Sequence, residues 1–467
     1  MNSITKAFEI FLNSMSAILL SGPFTDFGSK AEQILSANNT MLTTILPAFL
    51  QSLDDTIFQD AQRKAEWEIV RKDQRVLVTG FGELRFERRY CRHKQNGETA
   101  YLLDRHLGIS ANAKVNGDVR QKAILLAEQG PYSKSAAAST VSPISRMSVC
   151  NYVGDLEQFP ALEAEGEKRM VKQLYVEADE DHVSLQNGKK TQVKLVYIHE
   201  GVEEQDKRRR LVNPRYLTWP SGHDSDLLWE KVSRYIEQQY VSEDIEHIFL
   251  SGDCASWIRT GEEWLYPCVP VLDSFHTMKA LRKLCGGRQE QVAAFLGYVR
   301  KDEPDKAKDL CRSILKATRG SGREAKLKQG NYLLNNWRRI LNQTHPGAQG
   351  CSAEGHVSHI LSERLSSRPR GWSKRNMENI AQLRVMKANG QVIQYEDLRQ
   401  SKSNQEKAGM SSKAMALVNA PRLRKALKKS TQSTLKTTCQ NLPVLKYGAT
   451  TPLFQALHGL SFDYVAC

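Results

Sequence analysis

The stretch HIFLSGDCASWIRTGEEW, residues 247–264, decides the fold. Three apolar residues, Ile248, Phe249 and Leu250, stop at Gly252-Asp253-Cys254, and a helix-like run with Trp257 and Trp264 follows. A short apolar run closed by a glycine reads as a buried strand. The aspartate at its end has two readings. It is a loop or helix-capping residue, a place that suits its side chain. Or it is a carboxylate mounted on a rigid strand end, where catalytic and metal-binding acids are held. The surrounding chain decides between them.

Working outward, strands and helices alternate. QLYVEADEDHVSLQ (173–186) is a strand entering an acidic turn, and TQVKLVYIHEGVEE (191–204) is a second, reached through Asn187-Gly188. RYLTWPSG (215–222) suggests a third strand, and DLLWEKVSRYIEQQYV (226–241) is an amphipathic helix. Residues 247–253 are the fourth strand, and CVPVLDSFHTMKALRKL (268–284) is a fifth running into a helix. The order β-β-β-α-β-α-β-α is that of a ribonuclease H-like fold, in which an antiparallel three-strand unit precedes two parallel strands. The predicted class is therefore α/β plus α. In such a sheet the first and fourth strands are neighbours, so Asp179 and Asp253 project at one edge.

The flanks divide by composition. Residues 1–72 read helical, with apolar residues at three- and four-residue steps. The region 73–117 opens with the period-two pattern QRVLVTGFGELRFERRYCRH (74–93), a hairpin about Gly80 and Gly82. Its second strand carries Arg85, Arg88, Arg89 and Arg92, a set that either follows a phosphate backbone or forms a solvated face. In 118–158, a helix breaks at Gln129-Gly130-Pro131, the Ala-rich YSKSAAAST follows, and a third helix opens at ISRMSVCNYV beyond Ser142-Pro143. That spacing is a helix-turn-helix, with Ser145, Arg146 and Ser148 where a recognition helix meets DNA; a plain three-helix bundle has the same pattern. Residues 159–172 read as a linker. The core's first part spans 173–284, a helical insertion 285–350, and the core's last part 351–398. Between 281 and 350 there are 15 Lys or Arg against 6 Asp or Glu. The C-terminal region, 399–467, is basic: residues 401–440 hold 9 basic residues and one acid, Glu406. Such a tail binds phosphates or has no specific partner.

A chain of 467 residues with 40% hydrophobic and 25% charged residues is an ordinary globular composition. Its net charge of +14 favours polyanion partners, nucleic acid first. No run of about 18 apolar residues predicts a membrane span. The start, MNSITKAFEIFLNSMSAILLSG, carries Glu9, Asn13 and Ser14 and reads as an amphipathic helix, not a signal peptide. Nine cysteines without a C-x-x-C pair suggest neither a zinc ribbon nor a disulfide framework. A reducing cytoplasmic compartment is expected. There is no H-E-x-x-H, P-loop or G-x-S-x-G motif.

Paired strand-end aspartates suit two hard divalent cations, magnesium or manganese, which prefer oxygen ligands. Two such ions activate a hydroxyl and stabilise the leaving oxygen of an in-line phosphoryl displacement. A third carboxylate from a later helix is needed. The candidates are Glu354, opening a helix-like stretch with His356 and His359, and Glu378, mid-helix with Arg384 nearby; Glu354 is preferred. Asp273 and His276, directly after the fifth strand, either bind DNA near the scissile phosphate and assist proton movement, or are a helix cap with a packed histidine.

VTGFGELRFERRYCR (78–92), LYVEADEDHV (174–183), LSGDCASWI (250–258), LDSFHTMKAL (272–281) and GCSAEGHVSHILSERLSSRPRGWS (350–373) together resemble the ISLre-type insertion-sequence transposases of bacteria. The resemblance runs over nearly the whole chain and is weakest in the first 70 residues and the basic tail. It implies a transposase of the DDE class, with Asp179, Asp253 and Glu354 holding two magnesium ions. Asp273 and His276 would match a C/D-x-x-H motif of mutator-like relatives. The expected partners are DNA, as element ends and target, and a second copy of the chain. Arg88, Arg89, Arg146, Ser148, Arg364, Arg368 and Arg370 are the expected DNA contacts. A nucleoid-associated location follows. A non-catalytic repressor, a decayed transposase and a ribonuclease H-like nuclease are the competing expectations.

Overall fold

In the computed structural model the described residues are 3–394, apart from 21–26, 111, 158, 206–207, 220–224, 321 and 369–370. The basic C-terminal region expected at 399–467 lies outside them. The class is mixed α/β, and the chain forms two compact units. One draws on Met1–Pro160, Ser184–Lys189 and Glu363–Asn404, the other on Ala161–Val183 and Lys190–Ser362. The described residues from 363 to 394 thus belong with the N-terminal parts, not with the central sheet.

In the first unit, helices α1 (Ser3–Leu20), α2 (Phe27–Gln59) and α3 (Ala61–Glu66) lead into a long hairpin, β1 (Trp67–Thr79) and β2 (Gly82–His93). The strand begins at Trp67, earlier than the helical reading to residue 72 allowed. The hairpin pairs antiparallel from Trp67↔His93 to Thr79↔Gly82. Alternation buries Leu77, Leu84 and Phe86 against Leu50 and Leu103. A short strand β3 (Thr99–Tyr101) pairs with β2, and α4 (Leu102–Leu107) follows.

Three helices come next: α5 (Gly117–Gln129), α6 (Tyr132–Ser139) and α7 (Arg146–Gly154). Val119, Ala123, Ile124 and Ala127 of α5 are buried with Ala136, Val149 and Val153. The small Ala136 permits the close approach. Ser145 caps α7 by accepting from the Ser148 N–H at 3.0 Å.

The second unit is built on five strands. They are β4 (Gln173–Ser184), β5 (Lys190–His199), β8 (Arg215–Trp219), β9 (His247–Gly252) and β10 (Cys268–Leu272), with a separate two-stranded ribbon, β6 (Val202–Gln205) and β7 (Arg208–Leu211). The sheet order is β10-β9-β4-β5-β8. β9 is parallel to both β4 and β10, and β5 pairs antiparallel with β8. The ribbon is an addition to the expected order: Gly201, at φ +133, turns the chain out of β5 where the sequence reads one strand through residue 204.

Helices cover the sheet, so its central strands are buried on both faces. On one face Leu174, Val176 and Ala178 of β4 and Ile248 and Leu250 of β9 pack on Leu228, Trp229, Val232 and Ile236 of α8 (Ser225–Gln239). Each such large side chain contributes about 1.5–3 kcal/mol when fully buried. On the other face Tyr175 packs with Phe249 and Val271. Helix α9 (Ser256–Thr260) follows β9, and α10 (Ser274–Cys285) follows β10.

The insertion is helical: α11 (Gln289–Arg300), α12 (Pro304–Ala317), α13 (Gly322–Asn335) and α14 (Trp337–Leu341). With α10 they form their own core, including Leu281, Phe295, Ile314, Leu333 and Ile340. Helix α15 (Ala353–Val357) then runs into a π-helical turn, Ser358–Ser362. Returning to the first unit, α16 (Glu363–Leu365) precedes α17 (Lys374–Ala388). There the Asn376 and Asn379 amides donate to the carbonyls of Cys150, Val153 and Leu156 at 2.7–3.0 Å. Val153 carries one of the end carbonyls of α7, Cys150 lies about a turn before it, and Leu156 follows the helix.

Candidate active site at the strand ends

The β4–β9 ladder pairs Glu177 with Ser251. Two residues further, on the same face, come Asp179 and Asp253. The β9–β10 ladder pairs Gly252 with Leu272, and the Asp273 N–H donates to the Gly252 carbonyl at 2.9 Å. Asp253 and Asp273 thus directly follow β9 and β10, whereas Asp179 lies inside β4, two residues past the last pair of its ladder with β9; β4 runs on to Ser184, where the sequence reads an acidic turn. The C-terminal edge of parallel strands is where α/β sheets place ligands.

The turn after β9 is tightly constrained. A Cβ on Gly252 would sit 2.6 Å from the Ala178 carbonyl oxygen and 2.8 Å from Ile258 Cδ1. Cys254 holds a left-handed conformation, φ +64. Between them Asp253 Oδ1 accepts from the Ala255 N–H at 2.7 Å, which fixes its carboxylate. Asp179 Oδ1 accepts from the Glu180 N–H at 2.8 Å. Burial pushes the Asp179 carboxyl up to about 6. The Glu180 N–H and the charge of His276 oppose that shift, and the charge of Asp253 adds to it. Two carboxylates so placed disfavour each other's charge, and a cation relieves both.

Asp273 is buried and caps α10. Its Oδ1 accepts from the Phe275 N–H at 3.1 Å, and its Oδ2 lies 3.3 Å from His276 Nδ1. The hydrogen bond to Asp273 raises the imidazole above its ordinary value, and the charges of Asp253 and Asp179 add to this. His276 is thus held as a cation-favouring imidazole that senses the two aspartates, and Asp273 is its anchor and a helix cap. Beside Asp179, Asp181 is buried and His182 is exposed.

Glu354 is exposed in the first turn of α15. Among the described residues, no three His, Cys, Asp or Glu side chains are grouped closely enough to hold an ion. The structure thus brings Asp179 and Asp253 together and does not bring the Glu354 carboxylate to them. Its helix is nevertheless tied to the same sheet: Ser352, just before α15, donates its N–H to Glu177 at 2.6 Å. Glu378 lies on α17 in the other unit, 3.8 Å from Lys374. The oxygen donors of Asp179, Asp253 and Glu354 are the hard ligands that magnesium or manganese prefers.

Of the expected DNA contacts, Arg146 is exposed in the first turn of α7. Ser148 is spent on the cap, its hydroxyl 3.0 Å from that of Ser145. Arg88 and Arg89 are corrected. Alternation puts Arg88 on the Leu84–Phe86 face, where it is buried, paired with Asp104 and laid 3.5 Å from the Tyr101 ring centre. Arg89 pairs with Asp54 and Asp55 of α2, each at 2.6 Å. The outward cations of β2 are Arg85 and Arg92, beside Glu83 and Glu68. Arg364 is also corrected: it is buried, donates Nε to the Ala127 carbonyl at 3.0 Å, and lies 4.7 Å from the Trp372 ring centre. Arg368 is exposed, and Arg370 lies outside the described residues.

The sequence reading missed Glu177 and its partners Tyr197, His199 and Ser352. The signal was present: LYVEAD has a carboxylate inside an apolar strand, two residues before Asp179 and so on its face.

The chain matches the uncharacterised protein family UPF0236 over residues 26–402. It is 32% identical to a UPF0236 protein of Caldanaerobacter subterraneus subsp. tengcongensis, over 90% of this chain and 88% of that one; the name of that relative joins eleven loci. A second relative from the same organism, whose name joins four loci, is 32% identical over 90% of this chain and 88% of its own length. A UPF0236 protein in the vanSb 3′ region of Streptococcus gallolyticus is 28% identical over 77% of this chain and 82% of its own length. The chain belongs to the UPF0236 family.

Proposed function

For this member of UPF0236 we propose a DNA transposase of the DDE class, resembling the ISLre-type insertion-sequence enzymes. The observation that carries the reading is the parallel β4–β9 register, Glu177 opposite Ser251, which brings Asp179 of β4 beside Asp253 just past the end of β9. Two features support it. Read from β8 to β10, the strand order is third, second, first, fourth, fifth, the order of a ribonuclease H-like core. And relatives named for eleven and four loci of one organism fit an element that copies or moves itself.

In this reading Asp179, Asp253 and Glu354 hold magnesium or manganese, which would supply activation of a hydroxyl and charge neutralisation at phosphate. Glu354 reaches the pair by movement of its exposed side chain. Asp253, fixed by Ala255, and Asp179, fixed by Glu180, present preoriented oxygens. His276, oriented by Asp273, places a ring N–H donor beside the scissile phosphate. Helices α5–α7 bind the element ends, with Arg146 at the DNA, and a second copy of the chain holds the second end. The exposed position of Glu354 favours one alternative, a non-catalytic repressor derived from such an enzyme.

The test uses DNA carrying the element's ends, with magnesium and a target duplex. A joined product that requires a free 3′-hydroxyl supports the transposase. Cleavage without joining identifies a nuclease, and metal-independent binding without cleavage identifies the repressor.

A further inference from the structure

Glu177 stands inside β4 and is 3% exposed. A carboxylate buried at that depth requires donors. It accepts from the Tyr197 hydroxyl, from the Ser352 N–H at 2.6 Å and from the Ser352 hydroxyl at 3.2 Å. His199 Nε2 lies 3.1 Å away. An ionised carboxylate only accepts, so Nε2 is the donor of this pair, while Nδ1 lies 3.0 Å from the Gly201 carbonyl and 3.2 Å from its N–H. All four partners are donors, so the site needs an acceptor with no hydrogen of its own. With its oxygens so engaged, Glu177 is an anchor and not a further metal ligand.

What it anchors is the segment that carries Glu354. Ser352 immediately precedes α15. Two residues past Glu354, the His356 ring lies 4.6 Å from the Tyr197 ring, and its Nδ1 is 3.1 Å from the Tyr216 hydroxyl. Tyr197 therefore touches Glu177, Ser352 and His356 together. The segment is fastened to β4, β5 and β8 on both sides of Glu354, while Glu354 itself stays exposed. A π-helical turn follows directly, a feature often found beside functional sites.

We propose that Glu177 is a positioning residue: a buried latch that fixes Ser352–His356 on the sheet face bearing Asp179 and so sets the reach of Glu354. Its consequence for catalysis rests on the transposase reading; the latch itself does not.

The first arm is amide hydrogen exchange on the full-length protein without DNA or metal. Glu177→Gln keeps the shape but turns an NH2 toward donors, leaving one of them without an acceptor. Exchange over 352–362 is expected to rise about tenfold, the scale of one buried hydrogen bond lost. Exchange over 117–154 should stay at the wild-type rate. Unchanged exchange over 352–362 overturns the latch. The second arm titrates magnesium in the cleavage assay. Glu177→Gln is expected to need about tenfold more magnesium and to recover wild-type kcat at saturation. Glu354→Gln should not recover. A Glu177→Gln variant with the wild-type magnesium requirement overturns the positioning role. If wild type never cleaves, the transposase reading fails, and the exchange arm still decides the latch. Should Glu177→Gln not fold, Ser352→Ala loses the hydroxyl but keeps the N–H, and it should show both effects at smaller size; no effect in either arm overturns the proposal.

Discussion

Gly252, Asp253 and Cys254 show how three residues turn a strand end into a site. The absent Cβ of Gly252 lets the Ala178 carbonyl approach, and the left-handed Cys254 turns the chain so that the Ala255 N–H meets Asp253. Gly252→Ala puts a carbon 2.6 Å from a backbone oxygen, a contact that forces the strand ends apart. We expect a loss of about 1–3 kcal/mol in urea unfolding, the usual cost of overpacking, together with loss of any cleavage activity. Unaltered stability would mean that the turn relaxes freely. The buried ion pair of β2 gives a second case. Asp104 and Arg88 have side chains 3% and 7% exposed. Removing the acid in Asp104→Ala takes the carboxylate from the buried Arg88, and from Arg75 at 3.7 Å, which keeps the Ser110 and Ala113 carbonyls; it should cost about 3–5 kcal/mol in the same measurement. This is where the sequence is least legible. Period-two alternation assigns Arg88 to the core face, but its partner Asp104 lies sixteen positions on, beyond β3, and no local pattern announces the pairing. Arg364 is the same problem at longer range: its acceptor is the Ala127 carbonyl.

At the scale of elements, the sequence is most legible where strong punctuation meets clear periodicity. Gly130-Pro131 and Ser142-Pro143 separate α5, α6 and α7 where they are found, and Gly252 ends β9 where expected. The ribbon β6–β7 was not separated from β5, because EGVEEQDKRRR is charged throughout and carries no apolar alternation. The latch on α15 was equally hidden, since Ser352 and Glu177 are far apart in sequence. The candidate recognition helix yields a clean prediction. Ser145 and Ser148 build the cap of α7, while Arg146 between them is exposed. Ser145→Ala should destabilise the protein by about 1 kcal/mol in thermal unfolding. Arg146→Ala should leave stability unchanged and weaken binding to element-end DNA by about 1–3 kcal/mol in fluorescence anisotropy. Equal DNA affinity in Arg146→Ala and wild type would remove α7 from the DNA interface.

For the whole molecule, the net charge of +14 argues for a polyanion but not for what is done to it. Binding to DNA should weaken steeply with salt, by a log–log slope of about −0.9 for each phosphate contact. A flat salt dependence would contradict nucleic acid as the partner. No described helix is long and apolar enough to cross a membrane. Chemistry is argued by the sheet edge alone, and there Asp253 is the sharpest probe. Asp253→Asn keeps the acceptor for Ala255 and deletes the charge that faces Asp179. The measurement is magnesium-dependent strand cleavage of element-end DNA by wild type and Asp253→Asn, with both shown by circular dichroism and anisotropy to fold and bind equally. Cleavage is expected from wild type and none from Asp253→Asn at any magnesium concentration. Cleavage by Asp253→Asn at the wild-type rate would contradict that expectation.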